Sequence, residues 1–209
     1  MRLARRYDWV MAAVLGVAVV GCDGGETPDP EGRMPSPQLT ASSYAPQPLP
    51  ADCAVVLSRI PPSVVRDVVN LANAVPEKEQ LLCRARGTSP DGGFQLQLQL
   101  TMQVMPADQL DPTGAELPQW QQATVRGLLD GDCGDSPQPS ATEPPPFTLR
   151  CVSAYSDPAV GVHLAAAGED GRVAGVDATA YYRAKSDKEA AQRFADSVAD
   201  AAAQAALTI

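Results

Sequence analysis

A strict alternation of apolar and polar residues between Phe94 and Val104 constrains the fold more than any other feature of this sequence. The even-numbered positions carry phenylalanine, leucine, methionine or valine, and the odd-numbered positions carry glutamine or threonine. Such alternation predicts a β-strand with one buried and one solvated face. The turn-forming segment 89–93 precedes it, so we expect residues 81–87 to fold back as the second strand of a hairpin. The glutamine face is interpreted as a solvated surface, with a binding surface as the alternative.

Two helices are predicted on either side of this hairpin. After Ser63, valines and alanines recur at helical spacing as far as Pro76, which predicts a helix over residues 64–75. A second, shorter helix is expected over residues 118–129. The side chains of that helix expected to face inward are Trp120, Ala123 and Leu128.

The C-terminal part predicts three further strands, over residues 147–156, 160–166 and 173–182. Short turns connect them, which favours antiparallel pairing. An alanine-rich helix follows, with Ser186 and Glu189 as a predicted capping box. Its apolar stripe is expected to contain Ala190, Phe194, Val198, Ala201 or Ala202, and Ala205. The predicted fold class is α+β: an antiparallel sheet of about five strands with helices packed on one face.

The N-terminal segment predicts export and attachment to a membrane. Its apolar run is shorter than the about 20 residues that span a bilayer, and with its basic start it is typical of a signal peptide. The segment resembles the signal peptide of bacterial lipoproteins. That resemblance implies a lipobox of Val19, Val20 and Gly21 and a lipidated Cys22, on the extracytoplasmic face of the cell membrane. Arg5 and Arg6 leave the choice between the general and the twin-arginine export route open.

The sequence divides into a signal peptide (1–21), a tether that begins at the lipidated cysteine (22–50) and one domain (51–209). The tether is rich in proline and glycine and has almost no large apolar residues, so it cannot offset its ordering entropy by burial. It would span roughly 30 Å if coiled and up to roughly 85 Å if extended. The net charge of −9 argues against nucleic acid as a partner, because such binding depends on Lys and Arg neutralising phosphates.

The domain contains four of the chain's 5 cysteines: Cys53, Cys83, Cys133 and Cys151. An even number of cysteines in an exported domain predicts two disulfides. Three pairings are possible, and we favour the one that is local in sequence, Cys53 with Cys83 and Cys133 with Cys151. A zinc site is disfavoured because the sequence has no Cys-x-x-Cys motif and 1 histidine.

Motifs for catalysis or metal binding are scarce. Alternation places His163 on the same face as Gly161 and Ala165, so we interpret it as an exposed or half-buried structural residue. No Gly-x-Ser-x-Gly motif supplies a serine nucleophile, and the cysteines are expected to be oxidised. The acidic segment 130–135 lacks the terminal glutamate of a calcium loop. We therefore expect no enzyme activity, no cofactor and no bound metal.

The whole pattern resembles small cell-envelope lipoproteins of actinobacteria. The features that carry the resemblance are the lipobox around Cys22, the proline-rich tether, the segment 52–57, Cys83 and the C-terminal helix. The resemblance implies an extracytoplasmic α+β domain without an assigned chemistry, and it transfers no catalytic residues.

These observations favour a lipid-anchored, monomeric lipoprotein that binds a partner protein of the cell envelope, with a sensing role as one option. The alternative is a carrier of an apolar small molecule or lipid, in a cavity between the sheet and the helices. Such a cavity would be lined by Leu96, Leu98, Leu100 and Val68. A hydrolase ranks last, because the sequence shows no nucleophile with its base.

Overall fold

The computed structural model describes residues 47–72, 75–109, 114–130, 133, 146–153 and 157–209. The predicted signal peptide, lipobox and Cys22 lie outside these residues, as does the tether up to residue 46. The helices are α1 (Cys53–Leu57), α2 (Leu117–Leu129) and α3 (Lys188–Leu207). The strands are β1 (Arg66–Asn70), β2 (Gln80–Thr88), β3 (Gln95–Val104), β4 (Phe147–Ser153), β5 (Ala159–Ala167) and β6 (Arg172–Tyr181). Among the described residues, no helix has the length and apolarity needed to cross a membrane.

All the strands belong to one antiparallel sheet in the order β1-β2-β3-β6-β5-β4. The predicted α+β class is therefore confirmed, and the sheet has six strands where the sequence predicted about five. The N-terminal strands β1–β3 and the C-terminal strands β4–β6 meet where β3 pairs with β6. This junction lies in the middle of the sheet and brings side chains from both halves of the chain into contact.

The additional strand is β1, and the helix predicted over residues 64–75 was wrong. Pairs such as Arg66 with Thr88 and Val69 with Arg86 add β1 to the edge of β2. The valines repeat at a spacing that fits a helix, but β-branched side chains favour the pleated surface of a sheet. Val65 is buried and Val68 packs against the core, so the strand contributes to the same core that a helix was expected to cover.

The β2–β3 hairpin forms in the predicted place. Its cross-strand pairs run from Gln80 opposite Gln103 to Thr88 opposite Gln95. The predicted buried positions Leu96, Leu98, Leu100 and Met102 are buried, but Thr101, on the face predicted to be solvated, is also buried. Ser89 stabilises the turn, since its Oγ accepts a hydrogen bond of 2.9 Å from the Phe94 N–H.

The face of the sheet that carries these leucines, here called the inner face, is covered by α1 and α3. Small alanine side chains let α3 approach the sheet closely, and nine of its residues are buried: Ala191, Phe194, Ala195, Val198, Ala199, Ala202, Ala203, Ala205 and Ala206. The predicted capping box is not formed. Helix α3 begins after a 3₁₀ turn, and the Ser186 hydroxyl donates to the Asp187 carboxylate instead.

The other face, the outer face, carries α2 over one end of the sheet. Val125 and Leu129 pack against Ala165, Ala167 and Val173. Helices therefore lie on both faces, whereas the sequence placed them on one. The reason is that β5 is buried along its whole length and so needs cover on both sides.

The buried stripe of α2 also differs from the predicted one. Its fully buried members are Leu117, Gln121, Val125 and Leu129. Trp120 and Leu128 pack partly buried beside them, as expected for inward residues, but Ala123 is exposed. Gln121 occupies a buried position because its amide donates to the Gly168 carbonyl at 2.8 Å.

Two disulfides cross-link the domain. Cys53–Cys83 joins α1 to β2 with Cα atoms 5.4 Å apart, and Cys133–Cys151 joins the residue 133 region to β4 with Cα atoms 5.7 Å apart. These are the pairs that are local in sequence. Most of the proline-rich segment between Cys133 and Cys151 lies outside the described residues.

Candidate functional site

A row of five polar side chains crosses the outer face of the sheet. Arg84 lies opposite Gln99, Gln99 lies opposite Asp177, and Asp177 lies opposite His163, so these four occupy one line across β2, β3, β6 and β5. On β4, Cys151 lies opposite His163, and Ser153, two residues further along the same face, reaches the His163 ring diagonally. Because side chains alternate between the two faces of a sheet, all five project outward. We call this set the polar row.

Each member of the polar row is hydrogen-bonded to the next. Arg84 Nε donates to Gln99 Oε1 at 3.2 Å, and Gln99 Nε2 donates to Asp177 Oδ2 at 3.3 Å. Asp177 Oδ1 lies 2.7 Å from His163 Nδ1, and His163 Nε2 lies 2.7 Å from the Ser153 hydroxyl. Both ring nitrogens of His163 are therefore engaged, one by a carboxylate and one by a hydroxyl.

Burial varies sharply along the polar row. The His163 side chain is 2% exposed, whereas that of Asp177 is 34% exposed. The prediction of an exposed or half-buried histidine was therefore wrong. Burial of an imidazole is tolerated when its nitrogens have hydrogen-bond partners, and cross-strand contacts supply them here.

A groove lies beside His163 on the uncovered part of the outer face. It has a volume of about 420 Å³ and is open to solvent. Its lining side chains from the outer face are Leu71, Arg84, Arg86, Gln97, Gln99, His163, Asp177 and Thr179. Two neighbouring depressions of about 340 and 450 Å³ extend it towards Val75 and Tyr181. The glutamine side chains thus form part of a concave surface.

Apolar and basic side chains alternate on this surface. Val69, Leu71, Val75 and Leu82 are 57%, 49%, 64% and 36% exposed. They surround Arg84 and Arg86, which project from the same side of β2. Within the described part of the chain, the guanidinium of Arg86 has no hydrogen-bond or ion-pair partner. We call Val69, Leu71, Leu82, Arg84 and Arg86 the β1–β2 patch.

The other predicted site residues are placed as follows. The described residues contain no group of three or more His, Cys, Asp or Glu side chains that would hold a metal ion. Asp130 follows α2, and Asp132 and Asp135 lie outside the described residues. The four domain cysteines form disulfides, and Cys151 lies directly opposite His163, next to the polar row.

The sequence analysis missed Ser153 as a partner of His163. Ser153 and His163 are ten residues apart, and Asp177 is fourteen further on, so the relation depends entirely on strand register. The sequence did contain a signal for this contact. His163 and Asp177 are polar residues on the outer face of β5 and β6, two strands whose inward-facing residues are apolar.

Comparisons with known proteins give no further guide to this site. The chain matches no protein-family model. A search of curated proteins finds no significant match.

Proposed function

We propose that this protein is a membrane-tethered, extracytoplasmic binding domain whose outer sheet face docks an extended segment of a cell-envelope protein. The observation that carries the proposal is the β1–β2 patch. It leaves large apolar side chains exposed next to two arginines, on a part of the sheet that α2 leaves uncovered. Contiguous exposed apolar surface on a small domain is typical of an interaction site.

The charge of the patch indicates the character of the partner segment. The chain as a whole carries a net charge of −9, yet Arg84 and Arg86 stand together in the groove. Arginine is enriched at the centres of protein interfaces, where its planar guanidinium binds carboxylates with two parallel hydrogen bonds. A segment that alternates apolar and acidic residues would complement Leu71 and Leu82 as well as the two arginines.

The proposed lipid attachment is consistent with binding to a protein of the cell envelope. A lipid on Cys22 and a tether of the expected length would hold the domain near the membrane while leaving its outer face accessible. The acidic surface elsewhere would be repelled by anionic lipid. Both effects favour a partner that stands above the bilayer rather than the bilayer itself.

The carrier hypothesis receives less support from the packing. Leu96, Leu98 and Leu100 were expected to line a cavity, and they belong to one core cluster with Phe194 and the buried alanines of α3. Three grooves open on the outer face, and a fourth, of about 390 Å³, is lined by residues that include Leu57, Val65 and Val68. We propose that binding takes place on the outer face, where the groove also contains Arg84 and Arg86.

The test is crosslinking in cells, followed by purification of the lipoprotein and mass spectrometry of the captured proteins. The double variant Arg84→Glu/Arg86→Glu reverses the charge of the β1–β2 patch. Its matched control is Lys188→Glu/Arg193→Glu, which makes the same charge change on α3, on the inner side of the sheet. A partner that is lost with the first variant and kept with the second supports the proposal. A partner captured equally with both would contradict it.

A further inference from the structure

We propose that Ser153 and His163 form the nucleophile and general base of a hydrolytic site for carboxylic esters that carry an anionic group, with Asp177 as the positioning residue. The inference goes beyond partner binding. It depends on a different observation from the β1–β2 patch: the two 2.7 Å contacts that the His163 ring makes, one to the Ser153 hydroxyl and one to the Asp177 carboxylate.

These two contacts assign a role to each atom. A serine hydroxyl is a weak nucleophile unless a neighbouring base removes its proton. A carboxylate can only accept, so in the neutral imidazole the proton lies on Nδ1 facing Asp177, and the unprotonated Nε2 faces Ser153 Oγ. A serine, histidine and aspartate in this relation are recognised by geometry and role, since the arrangement occurs on unrelated folds.

The remainder of the polar row holds the carboxylate in place. Gln99 Nε2 donates to Asp177 Oδ2, so one oxygen of the carboxylate is bound by Gln99 and the other by His163. Gln99 is itself held by Arg84 Nε. Because each contact joins directly opposite residues of paired strands, the sheet fixes the orientation of the imidazole.

The surroundings indicate the substrate class. His163 and Asp177 line the 420 Å³ groove, and Arg84 and Arg86 line the same groove further along the row. Neighbouring strands are about 4.8 Å apart, so Gln99 on β3, which the Arg84 side chain reaches, lies about 10 Å from His163 on β5. An ester whose acyl chain ends in a carboxylate or phosphate would place its anion on the arginines while its carbonyl extends past His163 to Ser153, which lies 2.7 Å from the His163 ring and is not among the residues that line the groove.

The reaction proceeds in two balanced steps. Ser153 Oγ attacks the ester carbonyl as its proton passes to His163 Nε2. The tetrahedral species then expels the alcohol, which takes that proton, and the acyl group remains bonded to Ser153. In the second step water attacks the acyl carbonyl, His163 accepts its proton and returns it to Ser153 Oγ, and the carboxylic acid leaves.

The first experiment labels the full-length lipoprotein in detergent with a fluorophosphonate probe and maps the modified peptide by mass spectrometry. We expect modification at Ser153, no modification in Ser153→Ala, and unchanged modification in the control Ser197→Ala, which alters a serine on α3. Circular dichroism establishes that each variant is folded. A folded wild-type protein that stays unmodified at Ser153 would overturn the proposal.

The second experiment measures ester hydrolysis with two probes of equal chain length, mono-p-nitrophenyl suberate and p-nitrophenyl octanoate. We expect a higher kcat/KM for the anionic suberate, and hydrolysis at the buffer rate in Ser153→Ala. Asp177→Asn should lower kcat by about 10²-fold or more, the range of general-base catalysis, with KM changed less than about twofold. Hydrolysis by Ser153→Ala at the wild-type rate would overturn the proposal.

The arginines provide a separate control. Arg84→Gln/Arg86→Gln should abolish the preference for suberate, because the anionic end of the substrate then has no guanidinium to bind. The two proposals are distinguished by fluorophosphonate labelling of the wild-type protein at Ser153, which can succeed whether or not a partner is found. A preference for suberate that persists in this variant would contradict the anionic substrate class.

Discussion

His163 and Asp177 are directly opposite each other on β5 and β6, and their side chains meet with Nδ1 and Oδ1 2.7 Å apart. This contact satisfies a buried ring nitrogen across the strand pair next to the central β3–β6 junction. We therefore predict that Asp177→Ala lowers the free energy of unfolding by about 1–3 kcal/mol, the cost of leaving a buried donor without a partner. Urea denaturation measures it. Thr179→Ala, two residues along on the same face, is the control, and an equal loss in both variants would refute the prediction.

We predict that Leu98→Asp unfolds the domain or destabilises it by several kcal/mol, because it places an unpaired carboxylate in the core. Leu98 is buried against α3, and its neighbour Gln97 points to solvent on the outer face. Gln97→Asp should therefore change stability by no more than about 0.5 kcal/mol. Thermal melts compare the two, and similar melting temperatures would mean that the two faces of β3 have been assigned the wrong way round.

We predict that Cys22→Ser releases the protein from the membrane, because the variant has no thiol to carry the lipid. Fractionation of cells into membrane and soluble parts measures this, with Cys53→Ser as a control that alters a domain cysteine. Membrane association that survives Cys22→Ser would remove the basis for the proposed lipid anchor.

We predict that peptide mapping without reduction recovers Cys53 linked to Cys83 and Cys133 linked to Cys151. With sequence separations of 30 and 18 residues, each bond should stabilise the domain by about 3–4 kcal/mol, since a cross-link limits the unfolded chain. The double variant Cys53→Ser/Cys83→Ser tests that loss by denaturation. Recovery of a long-range peptide such as Cys53 linked to Cys133 would contradict the observed pairing.

A pH dependence of stability follows from Asp157 and Tyr182. The Tyr182 hydroxyl donates to the Asp157 carboxylate, and this bond, followed by the contact with Lys185, lowers the pKa of Asp157 below its ordinary value of 3.8. A lowered pKa in the folded state stabilises the protein above the ordinary value. That contribution is lost as the pH falls through the lower folded value.

We therefore predict that Tyr182→Phe destabilises the domain near neutral pH and that the difference from wild type shrinks as the pH falls below about 4. Urea denaturation over a series of pH values measures it. Tyr181→Phe, which changes the neighbouring residue on the opposite face of β6, is the control. A difference that stays constant with pH would argue against the hydrogen bond as its source.

The sequence was sufficient to predict a helix or strand where its pattern of apolar and polar residues is compatible with only one of the two. The alternation along β3 fixed both the strand and its buried face, and short turns fixed the antiparallel order of β4, β5 and β6. Residues 64–75 were different. Their valines satisfy helical spacing and also favour a strand, and the choice is made by the unpaired edge of β2, which only the assembled sheet provides.

The polar row could not be predicted for a related reason. Ser153, His163 and Asp177 come from three strands, and a change of register by one residue would turn any of them to the other face. The buried state of His163 depends on that register as well as on the cover that β5 receives. The burial of Gln121 in α2 was missed similarly, because its acceptor, the Gly168 carbonyl, is distant in sequence.

The disulfide between Cys53 and Cys83 has a mechanical consequence. A pulling force applied to the chain before α1 passes through covalent bonds into the middle of β2. That strand is hydrogen-bonded on one side to β1 and on the other to β3. The force therefore acts on two sets of interstrand hydrogen bonds at once and does not break them one after another from one end of the sheet. If the tether is pulled as the domain moves away from the membrane, the domain would therefore resist unfolding at α1, where the tether ends.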